Sequence, residues 1–186
     1  MAGLKLDKEP IRHPDCCLSL SSTLIDLLTS TLSRNGRHAT DKLVLSVGSG
    51  SGLLEALLLD RWSTLSEPKL LIEGVEVQQS VEVTLLNKYL PEQHHSSVKG
   101  TWDLSPRAEE AAALMFVYPR SPQLISRYLR QCSQSDLEIV AWLGPKCDWS
   151  DFEKCFEGID GWLTRVVPGG ESGLLEYEML ALMERQ

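Results

Sequence analysis

The sequence contains no run of consecutive lysines or arginines, no CxxC pair, no HExxH and no GK[ST] after its glycine-rich stretch. Each absence removes a class. Basic residues number 18 against 26 acidic ones, a net charge of −8, so the average field repels polyanions. Nucleic acid and anionic membrane surfaces are therefore not expected partners. Five cysteines, an odd number without paired spacing, suggest neither a disulfide framework nor a zinc site. The histidines, His13, His38, His94 and His95, are not spaced as chelating ligands, so no metal is expected. The longest apolar runs, Ala111–Tyr118 and Ile139–Leu143, fall far short of the roughly 20 residues of a membrane span. Met1–Cys17 is polar and does not read as a signal peptide, which leaves a soluble cytoplasmic protein as the expectation.

What is present reads as one globular domain. The chain has 186 residues, of which 42% are hydrophobic and 24% charged. A chain of that length buries about 70% of its unfolded surface, enough for a core without staples. Residues 1–17, broken by Pro10 and Pro14, read as a loosely structured lead-in, and 18–186 as a single domain. Leucines at helical spacing predict a helix over Leu18–Leu32, stopped at Asn35–Gly36. Strands are predicted at Lys42–Val47, Lys69–Val77, His95–Asp103, Leu114–Tyr118 and Glu138–Leu143. Helices are predicted between them at Leu53–Leu59, Ser80–Tyr89, Ala108–Ala112 and Pro122–Cys132, with a last short one at Trp149–Phe156. Alternation of this kind implies a parallel sheet covered on both faces. Gly161–Val167 and Glu176–Met183 follow without a predicted helix between them, so they are expected to pair antiparallel across Pro168–Gly173. The expected fold is α/β: a Rossmann-like open sheet of seven strands, mostly parallel, with an antiparallel C-terminal hairpin and helices on both faces.

The segment richest in chemistry is Leu43–Glu55. An apolar strand runs into Gly48, Gly50 and Gly52, with Ser49 and Ser51 between them, and a helix follows. Glycine at alternate positions lets a loop backbone approach a ligand where a Cβ would collide. The third position of a dinucleotide fingerprint is Leu53 here, not glycine. Glu55 in the first helical turn opposes a phosphate at the positive helix end. A nucleoside without phosphates fits better. Glu76 stands at the end of the second predicted strand, 24 residues beyond Gly52, where a carboxylate can accept both ribose hydroxyls. A bland tight turn and an ordinary solvated acid are the alternatives for each feature alone; their order and spacing together favour a nucleoside site.

On these residues the chain resembles the class I S-adenosylmethionine-dependent methyltransferases. Leu43–Gly52 resembles that family's glycine motif, and Gly74-Val-Glu76 its acidic second-strand end. The resemblance implies S-adenosyl-L-methionine as cofactor, held by Ser46, Gly48, Ser49, Gly50, Gly52, Glu76, Val77, Trp102 and Asp103. Trp102–Asp103 corresponds to the position that contacts adenine, and Ala113–Tyr118 to the fourth strand, whose end faces the transferred methyl. Family members commonly carry an acid two residues before the first glycine, which helps to hold the methionine amino group; here that residue is Ser46. The fourth strand ends Val117-Tyr-Pro-Arg-Ser-Pro122, not in the Asn/Asp-Pro-Pro-aromatic motif of base and amide methylation.

The candidate catalytic residues are Tyr118, which could shape or polarise the substrate site, and Arg120, whose planar fork suits a carboxylate. A packing aromatic and a solvated loop charge are their alternatives. Trp142, Trp149 and Trp162 read as core or rim aromatics, and Cys147 as an incidental thiol. The expected activity is methyl transfer to a small molecule or a small protein feature. The other reading keeps the fold without methyl transfer, as a repurposed biosynthetic enzyme or a binding subunit. A nicotinamide-dependent reductase is disfavoured by Leu53 and Glu55. Seven strands and their helices use nearly all 186 residues. Substrate contacts are left to the segment before about Ser22, to Tyr118–Gln123 and to Pro168–Gly173. An open pocket is expected, or one covered by a homodimer mate or partner subunit.

Overall fold

In the computed structural model, which describes residues 5–34, 42–65, 70–78 and 86–186, the segments expected as strands lie side by side in one seven-stranded sheet. Numbering in chain order, β1 is Ile11–His13, β2 Cys16–Leu20, α1 Ser22–Leu32, β3 Lys42–Val47, α2 Leu53–Trp62, β4 Leu70–Val77 and β5 His95–Val98. Then come β6 Ala113–Val117, α3 Pro122–Gln131, β7 Ile139–Pro145, α4 Trp149–Phe152, β8 Trp162–Pro168, α5 Gly169–Ser172 and β9 Glu178–Arg185. The sheet order is β5-β4-β3-β6-β7-β9-β8. The pairs β4–β5, β3–β4, β3–β6 and β6–β7 are parallel; β9 runs antiparallel to both β7 and β8. The chain therefore builds outward from β3 in both directions, and the order reverses between β3 and β6.

Alternate residues of each strand feed two separate cores. Val44, Ile72, Met115, Ala141, Leu143, Leu180 and Leu182 face α1 and α2. Leu45, Val75, Phe116, Val140, Trp142, Ala181 and Met183 face α3 and the short helices. On the second face Trp142 packs against Trp149 and Phe152, and Phe116 meets Tyr128 edge to face. The central strands β3 and β7 are buried on both sides, which is why they read as continuous apolar runs.

Several sequence expectations change. Residues read as a lead-in and a first helical turn form the antiparallel hairpin β1–β2, with Pro14 and Asp15 at its turn. Leu18 and Leu20 are fully buried in strand conformation, and α1 begins only at Ser22. Leucine spacing counted Leu20 as helical, but Ser21 caps the helix after it: its Oγ accepts from Leu24 N at 3.0 Å. β5 stops at Val98, and residues 99–102 are turn and bend. The predicted helix stop at Asn35–Gly36, the close of the 63–68 loop and most of the predicted helix Ser80–Tyr89 lie outside the described residues. The end of that last helix, residues 86–89, is a turn in which Asn87 has φ 52°. β8 and β9 do pair antiparallel, yet the one-turn helix α5 sits between them, and β7 runs two residues past Leu143 through Gly144–Pro145.

The hairpin is fastened to the opposite end of the chain. Besides capping α1, Ser21 Oγ donates to the Gly173 carbonyl at 2.6 Å. Gly173 has φ +75°, and a Cβ there would lie 2.5 Å from that same Oγ. Replacing Ser21 by Ala is expected to remove cap and tether together and lower unfolding free energy by about 1–2 kcal/mol, measured by urea titration.

Candidate functional site

Parallel strands deliver their carboxyl ends to one edge, and in an open α/β sheet ligands bind there, at the point where strand order reverses. The predicted residues collect at that edge. The turn Gly48–Gly52 leaves β3 with all three glycines left-handed, at φ 80°, 59° and 75°. A side chain is strained in that region whatever the space around it. Among the described residues nothing lies within 4 Å of where a Cβ on Gly48 or Gly50 would stand. At Gly52 the space is already filled, since a Cβ would meet Leu90 at 2.8 Å. Gly48 and Gly50 thus present an open cradle, whereas Gly52 lets the turn pack on residues 87–90.

Neighbouring elements hold the turn in place. Gly48 N donates to the Val75 carbonyl at 2.9 Å, Asn87 N to Gly50 O at 2.8 Å, and Ser49 Oγ to Asn87 Oδ1 at 2.7 Å. Glu76, half-buried at the end of β4, accepts from Gly50 N at 2.6 Å and from Val77 N at 3.2 Å. Two amides on a carboxylate with about four acceptor sites leave capacity for further donors. The roof of the turn is the hairpin. Ser51 Oγ donates to the Asp15 carbonyl at 2.6 Å. The Asp15 carboxylate takes Lys88 Nζ at 2.8 Å and the Tyr89 hydroxyl at 2.6 Å, and these donors hold its carboxyl below the usual range.

The other predicted residues divide into two groups. Trp102 and Asp103 sit in the turn after β5; the Trp102 indole is 51% exposed, and Asp103 Oδ2 accepts from Gly100 N at 2.9 Å. Tyr118 ends β6 with φ 48°, a conformation a bulky residue adopts only when its surroundings impose it. Its N donates to Leu143 O at 2.7 Å and its hydroxyl to Glu178 Oε1 at 2.6 Å. Burial, and then the Glu178 carboxylate, push its phenol far above its ordinary range, so it stays protonated. Tyr118, Pro119 and the exposed Arg120 line an open cavity of about 620 Å³ together with Asp148, Asp151 and Lys154.

Sequence reasoning missed two buried acids here. Glu178 is fully buried and gathers Tyr118, the Ser19 hydroxyl, Ser19 N and Leu175 N. Glu55 is not a solvated acid at the start of α2. It is 1% exposed, and Ser46 Oγ donates to its Oε1 at 2.6 Å while Oε2 has no partner among the described residues. Burial raises its carboxyl to about 7 despite the Ser46 bond, and Glu76 adds to the rise. The available signal was the residue pair: a serine inside an otherwise apolar strand, and a glutamate inside an apolar helix, Leu-Leu-Glu-Ala-Leu. Among the described residues no group of three His, Cys, Asp or Glu is placed to hold a metal ion, and no helix is long and apolar enough to cross a membrane.

No protein-family model matches the sequence, and no curated protein does. Solved structures match the fold. A precorrin-6y C5,15-methyltransferase from Geobacter metallireducens GS-15 superposes with a TM-score of 0.55 at 11% identity, over 98% of this chain and 100% of that one. A putative rRNA methylase from Clostridium thermocellum gives 0.55 at 14%, over 90% and 98%. A putative class I S-adenosylmethionine-dependent methyltransferase from Listeria monocytogenes gives 0.57 at 12%, over 94% of this chain and 62% of that one. The chain has the fold of the class I S-adenosylmethionine-dependent methyltransferases.

Glu55 makes stability depend on pH in a stated direction. Its carboxyl ionises near 4.5 in the unfolded chain and near 7 in the folded one. Below about 4.5 both states hold the proton; between the two values only the unfolded state releases it, so stability falls, and beyond about 7 the loss is complete. Relative to Glu55→Gln, the native protein is expected to lose roughly 3 kcal/mol from acid to neutral pH, measured by urea unfolding across that range.

Proposed function

We propose that this chain binds S-adenosyl-L-methionine in the glycine cradle and transfers its methyl group to a small molecule. The observation that carries this reading is the left-handed turn, open above Gly48 and Gly50, with the Glu76 carboxylate fixed beside it. The residues present fit the cofactor. Backbone at Gly48 and Gly50 gives close approach, Glu76 has acceptor capacity for ribose hydroxyls, and Val77 extends that edge. The exposed Trp102 indole offers a face to adenine, with Asp103 beside it. Ser49, committed to Asn87, fixes the turn without facing the ligand. Ser46 acts through Glu55.

When bound, the cofactor supplies an electrophilic methyl on a sulfonium, ready for in-line displacement; the chain supplies position and a site poor in water. Tyr118 follows β6, the strand that pairs with β3, and lines the 620 Å³ cavity. Its phenol is held protonated by Glu178, so it orients an acceptor through its lone pairs and takes no proton. Arg120 gives the cavity a fork for a substrate carboxylate. A net charge of −8, with Asp148 and Asp151 balancing Arg120 and Lys154 at the cavity, supports a cytoplasmic small-molecule enzyme over one acting on RNA.

One observation favours a second reading, binding without methyl transfer: the residue nearest the expected transfer point, Tyr118, offers no base. Calorimetry on the purified chain tests both. S-adenosylmethionine and S-adenosylhomocysteine are expected to bind, and Glu76→Ala to weaken both by at least about tenfold through lost ribose acceptors and a loosened turn. No binding of either at millimolar concentration overturns the cofactor reading. Binding of both with no methyl transfer to any acceptor in a small-molecule panel selects the second.

A further inference from the structure

A buried carboxyl with an unpaired oxygen is costly, and folded proteins keep few of them. Glu55 is the one such acid among the described residues, and it stands three residues beyond Gly52, at the start of the helix that the glycine turn opens. Its partner Ser46 stands two residues before Gly48, on the strand that enters the same turn. The pair therefore brackets the cradle from both sides. Serine on β3 supplies no charge, and the carboxyl arrives from α2 to meet it.

We infer that Glu55 receives the cationic amino end of the ligand seated in the glycine turn, with Ser46 as its positioning residue. This deepens the cofactor reading and rests on it. The amino-acid end of S-adenosylmethionine carries an ammonium, and an ion pair formed out of water is the strong form of that contact. Among the described residues no cation is one of the groups that act on Glu55. Glu55 is faced by the Ser46 hydroxyl on β3, by the Glu76 side chain at the end of β4, and by the Cys16 thiol on β2, itself pushed up to about 12 by burial. In the free protein at neutral pH about half of the carboxyl is therefore protonated. The incoming ammonium stabilises the carboxylate, and the proton leaves Oε2 for solvent. Binding is coupled to release of a proton, and affinity rises with pH up to about 7 and then levels.

Two ligands separate the amino end from the nucleoside: S-adenosylhomocysteine, which has it, and methylthioadenosine, which lacks it. The native chain is expected to bind S-adenosylhomocysteine about tenfold more tightly at pH 8 than at pH 6, with methylthioadenosine unchanged. Its binding enthalpy should vary with the ionisation enthalpy of the buffer, as proton release requires. Glu55→Gln is expected to lose about tenfold or more for S-adenosylhomocysteine alone, and to lose the pH and buffer dependence. The double variant Ser46→Asp with Glu55→Ser returns a carboxylate to the same place from the strand side. It should recover the preference for S-adenosylhomocysteine, which settles the matter even where the single variant folds poorly. Equal losses for both ligands in Glu55→Gln, or no loss, overturn the role of Glu55 while leaving the cofactor reading intact. Binding of methylthioadenosine as tightly as S-adenosylhomocysteine by the native chain does the same. Failure of the native chain to bind either ligand overturns both.

Discussion

A carboxylate taken out of water has to be surrounded by donors or has to keep its proton, and the working edge of this sheet is built on that choice. Three of the described acids show it. Glu178 has several donors, from Tyr118, Ser19 and Leu175, and so serves as a buried hub. Glu76 has two backbone amides and an open side. Glu55 has one hydroxyl and an orphan oxygen, and rises toward neutrality. The donor count grades them. The saturated acid is scaffold, the half-saturated one is free to take a ligand, and the starved one is the group whose charge a ligand can change.

Glu178 explains why the first residues of the domain matter. It stands at the start of β9, yet its donors come from β2, from the segment before β9 and from the end of β6. One carboxylate thus joins the N-terminal hairpin, the last strand and the strand that carries Tyr118. The left-handed backbone of Tyr118 costs of order 1–3 kcal/mol, and a hub of charge-assisted hydrogen bonds is able to hold it. Asp15 repeats the device at the other end of the hairpin, where Ser51, Lys88 and Tyr89 converge. The hairpin is a strap tied at both ends across the ligand edge. That strap is made of residues that, by composition alone, look like an unstructured leader.

The central sheet was legible because its signals are local. β3, β4, β6 and β7 are apolar runs bounded by Gly, Pro or polar turns, and each landed within a few residues of its expected place. The glycine turn was legible because left-handed backbone selects glycine wherever it occurs, so Gly48, Gly50 and Gly52 announce their conformation without tertiary information. The hairpin was not. Cys16–Leu20 has too few residues for a period, and Leu20 falls into helical register with α1 by coincidence. Only Ser21, a cap, marks the true boundary. The acids were hidden for a different reason. Whether Glu55 or Glu178 is solvated depends on what folds over it, and both partners of Glu178 with side-chain hydroxyls lie 60 or more residues away.

Fold leaves the substrate class open, since a precorrin-6y C5,15-methyltransferase and a putative rRNA methylase share it. An RNA-binding mouth needs cations that outnumber anions along a track, because counterion release drives most of the affinity. The cavity beside Tyr118 instead sets two cations, Arg120 and Lys154, against two anions, Asp148 and Asp151. Around it the chain is acidic overall. In the proposed reading, balanced charge in an open cavity selects by position: a carboxylate toward the guanidinium, an amine toward the aspartates, with the reacting atom near Tyr118. That arrangement suits a compact zwitterion or a short polar side chain, and it disfavours a polyphosphate backbone on both field and volume.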